Sequence, residues 1–301
     1  RIINYKMVSD IRCQLSEKLK IKEHQKVLSE YWKPYMRHSN IMLTDATCYE
    51  TSMRYPTNVK LLWEGVDWSY NQMVQICKYL KIRTPRNKYL EQREKYMDYS
   101  RKRKKSKKET TVRTRSLLYL LEKLLGLLKE IEHKNQGRLE MPKKYYQRIK
   151  VLKTVLKQQQ EIFETGKSVP ERIVSLSKSY IRPIVRGKEV KAVEFGAKVN
   201  MIQFDGINFI EHLSFNAFHE GIRLKKSIWY GRDLVGKISH VAGDDIYATN
   251  ANRSWCASQK IYHSFKRKGR AGKYEDQRKV MASVLRKERA TRMEGSFGTE
   301  K

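Results

Sequence analysis

The Asp205-Gly206 pair constrains the fold more than any other feature, because two runs of period-two alternation meet at it. Apolar and polar side chains alternate over residues 193–201, and apolar side chains recur in alternation over residues 207–215. Alternating runs joined by Asp-Gly predict an antiparallel β-hairpin with a tight turn. The fold must therefore contain a sheet, and we interpret Asp205 as a turn residue.

Two further apolar segments run into aspartate. Residues 41–43 precede Asp45, and the segment 238–242 precedes Asp244 and Asp245. Both segments are predicted to be buried strands that end in acid. Burying an unpaired carboxylate costs several kcal/mol. We therefore expect a cation, or a reaction, at the ends of these strands.

Helical periodicity fills most of the remaining chain. A broad leucine stripe over residues 117–131 and a narrower stripe over 145–156 predict a helical hairpin, with Gly137 and Pro142 in its turn. Further helices are predicted within residues 1–39, at 59–80, at 250–259 and from about residue 275. The predicted fold class is mixed α/β: a mixed sheet flanked by helices, with a helical insertion between the first strand and the hairpin.

The charge balance favours a polyanionic partner. The chain carries 64 Lys and Arg residues against 32 Asp and Glu residues, a formal net charge of +32. Its densest basic segment is 101–108, which can be a solvated loop or an arm that contacts phosphates. Such an excess favours DNA or RNA over a small molecule. A membrane is disfavoured, because no run of 18 apolar residues occurs.

A third acid, Glu294, lies on the last predicted helix. A mixed sheet can bring it together with Asp45 and Asp244 from distant positions. Hard divalent cations such as Mg²⁺ take oxygen ligands and leave positions open for water and phosphate. Two such ions about 3.5–4 Å apart would support phosphodiester chemistry.

Four blocks of sequence resemble the DDE transposases of bacterial insertion sequences, in the insertion-sequence four/five-like superfamily. The blocks are Thr44-Asp45-Ala46-Thr47 with Tyr55-Pro56-Thr57-Asn58, Val193-Glu194-Phe195-Gly196, Ala242-Gly243-Asp244-Asp245, and Glu288 through Gly298. The resemblance implies a ribonuclease-H-like core with Asp45, Asp244 and Glu294 as catalytic, metal-binding residues. It also implies Mg²⁺ or Mn²⁺, as two ions, and cleavage at element ends followed by strand transfer into target DNA.

The chain departs from the family pattern near Glu294. The family often has an Arg four residues before this Glu and a Tyr seven before it, whereas this chain has Ala290 and Lys287. The Lys seven residues after it is present as Lys301. Which of Asp244 and Asp245 binds metal stays open, because adjacent strand residues point to opposite faces. Trp255 can stack an extruded base or pack in the core.

On this interpretation residues 1–39 belong to a truncated N-terminal domain and residues 40–80 begin the catalytic core. Residues 81–170 form a basic, helical-hairpin insertion, and residues 171–301 complete a C-terminally truncated core. We expect a fragment of a longer protein, since the chain starts with Arg1 and ends without an obvious terminator.

The expected partner is double-stranded DNA, both the terminal inverted repeats of the element and the target. The predicted DNA-binding residues are Arg101, Lys102, Arg103, Lys104, Lys105, Lys107, Lys108, Lys266, Arg267, Lys268, Arg270, Arg289, Arg292 and Lys301. A homodimer would hold two element ends, and the location would be the bacterial cytoplasm, at the nucleoid when bound. Two alternatives stay open: a non-catalytic nucleic-acid-binding protein descended from a transposase, and a ribonuclease-H-like nuclease without strand transfer.

Overall fold

The computed structural model describes residues 4–185 and 193–300. The chain divides into two compact units. The first, here called the sheet unit, comprises Arg1–Thr51 and Gly196–Lys301. The second, here called the helical unit, comprises Ser52–Phe195.

Helices predominate in the described residues. They are α1 (Tyr5–Lys18), α2 (Ile21–Trp32), α3 (Asn58–Tyr79), α4 (Tyr89–Arg101), α5 (Lys107–Lys134), α6 (Lys143–Thr165), α7 (Leu224–Val235), α8 (Asn250–Ser258), α9 (Glu275–Glu288) and α10 (Glu294–Glu300). The strands are β1 (Ile41–Glu50), β2 (Pro183–Val185), β3 (Val193–Phe204), β4 (Ile207–Ser214), β5 (His240–Ala242) and β6 (Tyr262–His263). Short 3₁₀ turns cover Lys33–Tyr35, Glu220–Arg223 and Asp245–Tyr247.

The strands form a mixed sheet, as the sequence predicts. Its order is β2-β3-β1-β5-β6, and β4 pairs with β3. β1 runs antiparallel to β3 and parallel to β5, and β5 runs parallel to β6. The coarse prediction of a mixed α/β fold, with a mixed sheet flanked by helices, is therefore confirmed. The described residues contribute six strands to that sheet.

The predicted hairpin is also confirmed. β3 and β4 pair antiparallel up to Phe204 and Ile207, so Asp205 and Gly206 form the turn. Both turn residues have positive φ, 47° and 91°, as the tightest hairpin turns require. Asp205 also accepts a hydrogen bond from the Arg37 backbone N–H at 3.0 Å. The side chain thus anchors the turn as well as forming it.

β1 lies between two apolar layers of the sheet unit. On one face, Met42 packs with Phe204, Ile228 of α7 and Ile238. The approach of α7 is close: a Cβ at Gly231 would lie 2.8 Å from both Ile238 Cδ1 and Phe204 Cζ. On the other face, Leu43, Ala242, Leu285, Met293 and Phe297 belong to one cluster. The chain segments before and after Glu294 are therefore held against β1 near Leu43.

The helical unit is built on the leucine stripe of α5, as the sequence predicts. The stripe is buried together with residues of α3 and α6. Thr57 caps α3 by accepting a hydrogen bond from the Lys60 N–H at 3.3 Å. No described helix is both long enough and apolar enough to cross a bilayer.

The structure places helix α3 in a different unit from the one that the sequence-based domain boundaries assign to it. Those boundaries assign residues 40–80 to the catalytic core, whereas α3 packs within the helical unit. The reason is a close helix contact: a Cβ at Gly65 would lie 3.0 Å from Leu152 of α6 and 3.4 Å from Leu121 of α5. A small residue at this position lets the three helices share one core.

Candidate active site

Asp45 and Asp244 are placed by the parallel pair of β1 and β5. The pairing ends where Leu43 lies opposite Ala242. Each aspartate follows its paired residue by two positions. Since side chains two residues apart on a strand point to the same face, Asp45 projects on the side of Leu43. That is the face covered by the apolar cluster with Met293.

The end of β1 differs from the prediction. The sequence predicts a buried strand that ends in the acid Asp45. β1 continues instead to Glu50, because it stays paired with β3, and Asp45 lies opposite Met201 inside the strand. The sheet is open beside Asp45 because β5 stops at Ala242.

Asp45 is a half-enclosed carboxylate with one strong cationic partner. Its side chain is 16% exposed, and Arg289 Nη1 lies 2.6 Å from Oδ2. The Ala46 backbone N–H donates to Oδ1 at 2.8 Å. Burial raises the pKa of Asp45 to about 6, against the lowering effect of Arg289 and the Ala46 N–H. The charges of Glu220 and Asp244 raise this pKa further.

Arg289 joins Asp45 to the third predicted acid. Its Nη2 lies 3.1 Å from Glu294 Oε1, so one guanidinium bridges two carboxylates that are 249 residues apart in sequence. The sequence predicts one late helix that carries Glu294. The structure has instead a π-helical turn, Arg289–Met293, between α9 and α10. Such wide turns occur often at functional sites, and this one begins with Arg289 and ends just before Glu294.

The adjacent acids Asp244 and Asp245 have different partners. Asp244 lies close enough to raise the pKa of Asp45, and its Oδ1 accepts the Asp245 backbone N–H at 2.7 Å. Asp245 forms an exposed ion pair with Lys266 at 3.1 Å. Of the two, only Asp244 is among the charges that act on Asp45.

In the described ranges, no group of three His, Cys, Asp or Glu side chains is arranged to hold a metal ion. The Arg289 guanidinium lies between Asp45 and Glu294 and supplies the positive charge that their carboxylates face.

Buried polar residues that the sequence did not identify lie near Asp45. Glu220 is 7% exposed and pairs with Lys198 at 2.7 Å. Tyr247 is fully buried and donates to Asn200 Oδ1 at 2.7 Å. Lys198 and Asn200 occupy the polar positions of the alternating β3 run. The alternation of this run does not indicate that the two side chains are buried.

The predicted DNA contacts near the sheet-unit site are partly engaged by acids. Arg267 pairs with Glu275 at 2.8 Å, and Lys266 with Asp245. Arg292 pairs with Asp205 at 3.1 Å and with Glu288 at 2.8 Å. Lys301 lies outside the described residues.

The basic segment 101–108 lies in the helical unit, where α4 ends and α5 begins. Its side chains are exposed. Ser106 caps α5, and Lys102 pairs with Glu109 at 2.7 Å. Trp255, in the sheet unit, is half-buried and packs edge-on against Trp229, with ring centroids 6.2 Å apart. This contact favours the packing role for Trp255.

Comparison of the chain with protein-family models, with curated proteins and with solved structures finds no match. The resemblance to DDE transposases therefore stays a hypothesis, and the site must be judged on its own geometry.

Proposed function

We propose that this protein is a transposase that cuts DNA at element ends and joins the 3′-hydroxyls to target DNA, with a ribonuclease-H-like core. The observation that carries the proposal has two parts: Arg289 bridges Asp45 and Glu294, and the charge of Asp244 acts on Asp45. Stability alone gives no reason to bring acids from distant parts of the chain together. A phosphodiester reaction that needs cations does give such a reason, because carboxylates bind the cations.

The donor set fits a hard divalent cation. All three acids offer carboxylate oxygens, the ligands that Mg²⁺ and Mn²⁺ prefer. Asp45, Asp244 and Glu294 would hold the ions, which when bound would activate the attacking oxygen and stabilise the leaving one. Asp45 must be ionised to act as a ligand, and its pKa of about 6 allows this at neutral pH.

Arg289 has a defined part in this proposal. Its guanidinium must leave Asp45 and Glu294 when cations bind there. A DNA phosphate offers it a replacement partner with the same bidentate geometry. Arg289 would then exchange its carboxylate partners for a DNA phosphate. This exchange agrees with the prediction that Arg289 binds DNA.

The same arginine supports a second candidate function. A guanidinium that neutralises Asp45 and Glu294 is also what a DNA-binding protein without cleavage activity would retain. The net charge of +32 suits both functions.

Cleavage and joining separate these functions. The purified chain is incubated with Mg²⁺, a supercoiled target plasmid and a DNA fragment carrying the sequences that flank its coding region. Asp45→Asn and Glu294→Gln should abolish cleavage and joining while DNA binding persists. Asp245→Asn, a matched control at a carboxylate that pairs with Lys266, should stay active. Cleavage without joining would favour a nuclease. Binding with no cleavage by any variant would favour the non-catalytic function.

A further inference from the structure

The helical unit contains an open cavity of about 400 Å³, within the size range of ligand sites. It lies where α3 and α5 begin and where α6 approaches its end. The side chains that matter to its chemistry are those of Asn58, Thr114, Arg115, Gln159 and Phe163. All belong to one compact unit.

Gln159 is the unusual member of this lining. It is 1% exposed, and neither its Nε2 nor its Oε1 has a hydrogen-bond partner within residues 4–185 and 193–300. Buried amides are almost always hydrogen-bonded, because an unpaired one costs stability. A side chain that lines a cavity with both its donor and its acceptor unused indicates a ligand that offers both.

The groups around Gln159 restrict the chemical class of the ligand. Phe163 presents an aromatic ring with the Arg115 guanidinium carbon 5.7 Å from its centroid. Thr114 already donates to the Thr110 carbonyl at 2.8 Å, so its hydroxyl oxygen can only accept from a ligand. Arg172 donates to Asn58 Oδ1 at 2.6 Å, and its buried Nε has no partner among the described residues.

We propose that this cavity binds an adenine nucleotide. A glutamine amide matches the adenine edge, whose N6 amino group donates and whose N7 accepts. The Phe163 ring would stack on the base, and Arg115, the arginine that lines the cavity, would face the phosphate. The shared chemistry has two sources: a free nucleotide, or an unpaired adenine in nucleic acid.

This inference goes beyond the proposed transposase function and does not depend on it. The residues of the cavity lie in the helical unit. The test measures nucleotide binding and requires neither a metal ion nor DNA cleavage. Loss of one proposal therefore leaves the other standing.

The first experiment is calorimetric titration of the full chain with AMP and with 7-deaza-AMP, which lacks the N7 acceptor. AMP should bind at least ten-fold more tightly than 7-deaza-AMP. Gln159→Leu should weaken AMP binding at least ten-fold, whereas Gln75→Leu, the same change at an exposed site on α3, should leave it unchanged. The thermal midpoint of Gln159→Leu should not fall, because an unpaired amide is removed.

A second arm separates the two sources. A short duplex with one bulged adenine competes against the same duplex fully paired, for wild type and Gln159→Leu. A preference for the bulge that requires Gln159, without AMP binding, assigns the site to nucleic acid. The proposal is overturned if wild type binds neither AMP nor the bulge preferentially, or if AMP and 7-deaza-AMP bind equally. The 7-deaza comparison uses wild type alone, so it stands even if Gln159→Leu misfolds.

Discussion

Asp45 pairs with Arg289 at a position that burial makes unfavourable for a charge. The carboxyl titrates at about pH 6 in the folded chain, against an ordinary value of 3.8. A folded pKa above the unfolded one means that the ionised group opposes folding. This opposition is absent well below pH 3.8, grows as the pH rises, and is complete above pH 6, where it reaches about 3 kcal/mol.

Asp45→Asn should therefore change stability in a pH-dependent way. The substitution removes the ionisation penalty and also removes a partner of Arg289. The pKa of about 6 already includes the effect of Arg289 on the carboxylate, so the difference between the two pH values reports the shifted pKa itself. The free energy of unfolding of Asp45→Asn relative to wild type should be about 1.4 kcal/mol more favourable at pH 8 than at pH 5. Urea denaturation at both pH values measures it. A pH-independent difference would show that Asp45 has an ordinary pKa.

At the scale of elements, the site depends on how tightly α7 holds β1. Gly231 permits that approach, because a Cβ there would also lie 3.2 Å from Met42 Sδ of β1. Gly231→Ala should overpack this contact and lower the free energy of unfolding by about 1–3 kcal/mol.

Gly126 provides the matched control. It lies in α5, and a Cβ there would meet nothing within 4 Å. Gly126→Ala should therefore stabilise the chain by about 0.5–1 kcal/mol, through helix propensity alone. Thermal or urea unfolding of both variants checks the pair. Stabilisation by Gly231→Ala would mean that α7 does not pack on β1 as described.

The sequence predicted those elements whose cause is local. The Asp205-Gly206 turn and the leucine stripe each follow from a few neighbouring residues. The continuation of β1 to Glu50 and the π-helical turn at Arg289 do not. Both depend on what the sheet and α9 pack against, and no local pattern encodes that. The ion pair between Arg289 and Asp45 was missed for the same reason.

At the scale of the whole molecule, charge governs the proposed DNA binding. Segment 101–108 contains seven basic residues and no acid. If it contacts phosphates, Arg103→Gln, Lys104→Gln and Lys107→Gln together should reduce the slope of log affinity against log salt by about 3, since each contact contributes about 0.9.

The control for this prediction changes the net charge equally. Lys150→Gln, Lys153→Gln and Lys157→Gln on α6 also remove three charges, taking +32 to +29. Fluorescence anisotropy with a short duplex at several salt concentrations measures both triple variants. Equal slopes for the two would show that segment 101–108 is a solvated loop with no specific part in binding.

The most direct test of the central claim measures Mg²⁺ binding to the protein by titration calorimetry at pH 8. Mn²⁺ serves as a second probe. Wild type should bind the ion, and Asp45→Asn, Asp244→Asn and Glu294→Gln should each weaken binding at least ten-fold. Asp245→Asn should bind like wild type, because its carboxylate pairs with Lys266. Absence of binding by wild type with a duplex DNA present, or equal loss on Asp245→Asn, would contradict the assignment of these three acids to one metal site.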